Sequence, residues 1–289
     1  MKSLNFDTEK IQVLDFETLK ATYKENDVYG NPLRDVYHYQ VISNILDICK
    51  ANGLRYDIQD MFAANNNSRQ FPGVSILPQV ASIHGENSPQ SHILRRVYTT
   101  IAIHDGEDDE LTTNIAIAYH QDGLQVAFGT TVKICHNLCI LGADKMITNY
   151  GKSGKSNDEI FSSVDDWLKN FGNYQNRDLE FIRKMRQIDV SKADALRFIG
   201  TLTAIRVAYD NGIGEVRQSL NTYPLNQAQI SIFTENYLRF EQENENVTLW
   251  DLYNMGTHIY KPHTTEIPNI LPQTAVLFQV LNENFNLSE

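Results

Sequence analysis

This chain is short of cysteine and tryptophan, and its positive charge falls short of its negative charge. Its three cysteines, Cys49, Cys135 and Cys139, form no even, spaced framework, which argues against a disulfide scaffold and for thiols kept reduced. No run of about 18 apolar residues occurs, so a membrane-spanning helix is not expected. The stretch MKSLNFDTEKIQVLDFETLK is acidic and polar, where a secretory leader needs a basic start and an apolar centre. A cytoplasmic protein without membrane association is the expectation. Catalytic signatures are also lacking: there is no Gly-x-Ser-x-Gly elbow, no His-Glu-x-x-His helix and no Gly-x-Gly-x-x-Gly turn. Nothing calls for a cofactor, and no internal repeat is present.

The shortage of positive charge is uneven. Lys and Arg number 25 against 36 Asp and Glu, a net charge of -11. Residues 1–150 hold 12 basic against 18 acidic side chains, residues 151–200 hold 9 against 8, and residues 201–289 hold 4 against 10. Such a surface repels phosphate backbones unless basic residues cluster locally. The one segment near neutrality supplies the nucleic-acid-binding candidates Lys152, Lys155, Lys169, Arg177, Arg183, Lys184 and Arg186. The competing reading of these residues is a solvated helical face of mixed sign.

What is present is an ordinary globular balance, 42% hydrophobic and 21% charged, enough to bury a core in one large domain or two modest ones. The richest stretch runs from Asn114 to Asp144, where apolar runs flank the turn signal Asp122-Gly123. Ile115, Ile117 and Tyr119 alternate with small residues, and Val126, Phe128, Val132 and Ile134 follow across the turn. That pattern predicts a half-buried β-hairpin. With a strand around Val97 to Ile101 before it, the region reads as an antiparallel meander.

Other elements follow from periodicity. Val41, Ile42, Ile45, Leu46 and Cys49 recur at helical spacing from His38 to Ala51, and Asn52-Gly53 supplies the stop. Residues 1–35 read as an irregular arm, Leu54 to Ile58 and Val74 to Ile83 as strands, and 63–73 as an exposed loop. Beyond the Gly/Ser/Lys-rich stretch 149–157, helices are expected over Asp158 to Asn170, Arg177 to Ile188, Ser191 to Tyr209, Asn226 to Phe240, Thr248 to Tyr260 and Pro272 to Glu283. Ser191, Asn226 and Thr248 suit the N-cap position. The fold class is therefore α+β: an N-terminal antiparallel sheet with one or more helices, then a mainly helical C-terminal lobe. In domain terms this gives an arm (1–35), a β-rich α+β domain (36–148), a linker (149–157) and a helical lobe (158–289) packed on the sheet.

Three constellations invite chemistry. Cys135-His136-x-x-Cys139 suggests zinc, since thiolate and imidazole are its usual ligands. Strand geometry puts His120 on the order of 35 Å from Cys135, so Cys135 and Cys139 read better as buried thiols than as metal ligands. Gly151-Lys-Ser-Gly-Lys-Ser156 resembles a phosphate loop, but Asn149 stands where its first glycine belongs, and a linker explains the composition. His120 and Asp122 suggest an acid/base pair. A turn aspartate bonding its own backbone, beside a strand-end histidine facing water, explains them without catalysis.

The segments LQVAFGTTVKICHNLCI and LWDLYNMGTHIY and the LPQ run resemble a family of unknown function encoded by phages, plasmids and integrated conjugative elements, mainly of Bacteroidetes. The similarity covers most of the chain from His38, and departs at His120-Gln121, where a serine-histidine pair is expected. The resemblance implies a setting in mobile-element biology and brings no catalytic residues. The function expected is that of a non-enzymatic accessory protein in element DNA metabolism, handling single-stranded DNA or assisting recombination. The alternatives are a protein that docks on a host factor such as a defence component, and, less favoured, a hydrolase using His120 and Asp122. Partners are accordingly single-stranded DNA or a host or element protein, with self-association left open.

Overall fold

The computed structural model describes residues 12–22, 38–59, 61–64, 96–104, 110–120, 123–132, 137–150, 156–214, 222–260 and 267–287. Strands β1 (Gln12–Leu14), β2 (Tyr56–Ile58), β3 (Met61–Ala64), β4 (Arg96–Ile103), β5 (Leu111–His120), β6 (Gly123–Val132), β7 (Asn137–Cys139) and β8 (Met146–Tyr150) form one antiparallel sheet. The helices are α1 (Phe16–Thr22), α2 (His38–Ala51), α3 (Asn157–Lys169), α4 (Phe171–Gln187), α5 (Lys192–Asn211), α6 (Gln227–Glu243), α7 (Leu249–Thr257) and α8 (Ile267–Phe285). The expected order, a sheet followed by a mainly helical region, is what the fold shows.

The predicted hairpin is β5–β6. Its register runs from Leu111 opposite Val132 to His120 opposite Gly123, and β4 lies on the other side of β5. Both outer partners of this three-stranded centre are broken. On one side β2 pairs with Ile101–Ile103 and β3 with Arg96–Tyr98. Just past β2 the Gln59 N–H still donates to the Thr100 carbonyl at 2.9 Å. On the other side β7 pairs with Thr130–Val132 and β8 with Gly123–Ala127. Residues 140–145 therefore leave the sheet opposite only Phe128 and Gly129, an excursion of six residues against two that ends in a 3-10 turn at Ala143–Lys145.

The hairpin is buried on both faces, a correction to the half-buried reading. One face carries Val97, Ile101, Ile115, Ile117, Val126 and Phe128, packed with α2 and α3. The opposite face carries Ala116, Ala118 and Ala127 with Tyr98, and α8 packs across β4 to β8 there. Small side chains let a helix backbone approach the sheet closely. α8 is apolar on nearly every side, as a helix sandwiched between two layers must be: Leu271, Leu277, Val280 and Leu281 are each at most 1% exposed. Outside it sit α5 and α7, with α6 packed on both of these. α7 approaches α8 closely at Gly256, where a Cβ would stand 2.5 Å from a Leu277 methyl.

Local signals account for the helix ends. Ser156, Asn226 and Thr248 each form a capping box with Glu159, Gln229 and Asp251, and Ser191 caps α5 through the Asp194 N–H. These satisfy amide donors that the first helical turn leaves without partners. Ser156, the final residue of the phosphate-loop-like stretch, is thus a helix cap. Two further expectations change. Part of the arm 1–35 forms β1 and α1, with β1 paired to β3, and α8 begins at Ile267, five residues before Pro272. Pro272 is the sixth residue of α8, past the first turn, and so removes one N–H from the helical ladder. The strand expected over Val74 to Ile83 lies outside the described residues.

Candidate functional site

The surface feature that stands out is the solvent side of α5. In a surface helix one side is ordinarily charged. Here Leu196 is 45% and Val207 46% exposed, and Ala193, Gly200 and Ala204 are exposed with them. At about 100° of turn per residue, Leu196, Gly200, Thr203, Ala204 and Val207 fall within an arc of about 100°. The core-facing side of the same helix carries Ala195, Phe198 and Leu202. Thr203 bonds its hydroxyl back to the Ile199 carbonyl at 2.9 Å, so its polar group is satisfied within the helix.

Beside this strip lies a groove of about 600 Å³ between α5 and α6. Ile199 and Ile230 line its apolar part, and Leu238, 38% exposed, stands on its wall. Charged side chains around the face are engaged in neutral couples: Arg197 with Asp194 at 2.8 Å, Arg206 with Asp210, Arg239 with Glu235 at 2.8 Å, and Lys192 with Glu241 at 3.1 Å. Arg206 also stacks on the Tyr223 ring, 3.9 Å from its centroid. The α5 strip is uncharged, and the groove beside it mixes Ile199, Ile230 and Leu238 with the polar Gln227 and Ser231 and with the Glu235–Arg239 couple.

The basic candidates fall elsewhere. Lys152 and Lys155 lie outside the described residues. Lys169, at the end of α3, pairs with Asp165. On α4, Arg177 pairs with Asp144 at 2.8 Å and lies over the Tyr174 ring, Arg186 pairs with Glu110 and lies over Trp250, and Lys184 donates to the Leu287 carbonyl at 2.6 Å. Arg183 is exposed on the same helix. Anionic partners and structural contacts therefore compete with DNA for most of the described candidates.

His120 and Cys139 are placed by the sheet. His120 closes the hairpin and is 1% exposed, a correction to the water-facing reading; Asp122 lies outside the described residues. Its position follows from alternation: it shares the face of Ala116 and Ala118, which α8 covers. Cys139 is a buried thiol on β7 that forms no disulfide, and Cys135 lies outside the described residues. No group of three His, Cys, Asp or Glu side chains capable of holding a metal occurs among the described residues.

One polar cluster had no counterpart in the sequence reading. Lys145, in the excursion between β7 and β8, is 0% exposed and ion-paired with Asp178 of α4, itself 1% exposed. Asp178 also accepts the Thr130 hydroxyl at 3.1 Å. The Lys145 ammonium lies 5.9 Å from the Phe128 ring centroid and 5.8 Å from that of Tyr174. Burial lowers the Lys145 pKa from its ordinary value, opposed by the attraction of Asp178. Burial likewise raises the Asp178 pKa, opposed by Lys145 and the Thr130 hydrogen bond. The pair joins α4 to the edge of the sheet. A sequence separation of 33 between its partners hides it from any local pattern. Comparison with protein-family models, with curated proteins and with solved structures finds no match to this chain.

Proposed function

We propose that this protein is a non-enzymatic accessory protein that acts by docking on protein, through the face formed by α5 and α6. The observation that carries this reading is the exposed apolar strip at Leu196 and Val207 beside the groove edged by Leu238. Contiguous apolar surface with a charged rim is the usual mark of an association site. The resemblance to mobile-element proteins supplies the setting, in which the docking partner is a protein of the element or of its host.

Single-stranded DNA handling is the competing reading. Its support is the basic content of residues 152–186, of which Arg183 is exposed. Affinity capture from the native host, with and without nuclease, separates the two. The docking reading expects a protein complex that survives nuclease and is lost from a variant carrying Leu196→Glu and Val207→Glu. Capture that nuclease abolishes, together with salt-dependent binding of single-stranded DNA by the purified protein, would replace docking with nucleic-acid handling.

A further inference from the structure

We infer that the α5–α6 face takes a second copy of this chain, in a two-fold pair whose α5 helices cross at Gly200 and Ala204. The inference rests on the docking reading and names its partner. Charge is the first argument. The chain carries a net charge of -11, so two copies repel each other unless they meet on neutral ground. A foreign partner chosen by charge would seek an acidic surface. The face at hand instead has an uncharged centre, with its flanking charges tied up as Asp194–Arg197 and Arg206–Asp210.

Symmetry is the second argument. A two-fold interface must be self-complementary, and α5 is nearly so about its own middle. The helix spans Lys192–Asn211, and its centre lies between Gly200 and Ala204. Turning it end over end brings Gly200 onto Ala204 and Leu196 near Val207. Glycine and alanine at the crossing let two helix backbones approach, while Leu196 and Val207 cover each other on either side. The Asp194–Arg197 and Arg206–Asp210 couples lie on opposite flanks of the strip, outside the crossing, and each is neutral within its own copy.

Size is the third. A helix of 20 residues is about 30 Å long, and two adjacent helices present a face about 20 Å wide. That gives roughly 600 Å² on each copy, or about 1,200 Å² in total, the lower limit for a specific interface. α5 alone is too narrow. The α6 wall with Leu238 is needed to reach that limit.

Sedimentation velocity on the full chain at tens of micromolar tests this. The wild type is expected at twice the 33.0 kDa chain mass. Leu196→Lys and Val207→Glu should each sediment as a single chain, with the far-ultraviolet circular dichroism of the wild type because both positions are exposed in the single chain. Mixing these two variants should restore the double mass, since the crossing sets the lysine of one beside the glutamate of the other. A wild type that stays at single-chain mass, a dimer that both substitutions leave intact, or a mixture that does not recover would each overturn the second copy as partner. Host capture that still depends on Leu196 and Val207 would then leave the docking reading standing with a different partner, and its absence would remove both.

Discussion

At the scale of single residues, the Lys145–Asp178 pair has the largest energetic consequences. Both side chains are removed from water, and their attraction offsets a desolvation cost of several kcal/mol per ion. Removing one partner leaves the other charge buried alone. Lys145→Met is expected to cost about 3–5 kcal/mol, read as a lowered midpoint in urea. The double variant Lys145→Met with Asp178→Leu should recover that loss and equal or exceed the wild type. The pH dependence of Lys145→Met follows from sign. The Asp178 pKa is raised in the fold, and raised further without its lysine. The folded state then holds a proton that the unfolded chain, with an aspartate near about 3.9, has released. Stability falls as pH rises through that window, so the deficit of Lys145→Met should shrink as the pH is lowered toward the unfolded aspartate value of about 3.9. A deficit that grows on acidification would show that Asp178 is not the group left stranded.

At the scale of elements, the excursion in the edge strand depends on Gly129. A Cβ there would stand 2.6 Å from the Cys139 carbonyl oxygen, a backbone atom that cannot swing aside. Gly129→Ala should therefore destabilise by about 1–3 kcal/mol, with the loss visible in thermal melting. Helix caps give smaller effects. Thr248→Ala removes the side-chain acceptor of the Asp251 N–H and should cost about 1 kcal/mol, while Thr248→Ser should retain most of it. Elements of this local kind were legible in the amino-acid sequence: α2 spans His38–Ala51 as its periodicity predicts, and Ser191, Asn226 and Thr248 are caps. The second buried face of the hairpin was not, because Ala116, Ala118 and Ala127 read as neutral spacers between larger residues. The strip on α5 was also missed, since Leu196 and Val207 fit the apolar count of a core helix and only the fold shows which side is covered. Lys145 and Asp178 carry no local signal at all.

At the scale of the whole molecule, two hydrophobic clusters share the strands β4, β5 and β6. Neither cluster keeps its floor if the sheet separates. One cooperative thermal transition is expected, with calorimetric and van't Hoff enthalpies in agreement; two resolved transitions would mean that the helical region melts independently. The same sharing has a consequence for the order in which the fold is made. α8, at Ile267–Phe285, is the layer that rests directly on the alanine-lined face, and more than 160 residues separate it from the end of β4 at Ile103. Contacts so remote in sequence form late and slowly. During synthesis the sheet can gain α2 and then α3 on one side while its other side stays wet, a half-covered intermediate of the sort that chaperones bind. Closure awaits α8.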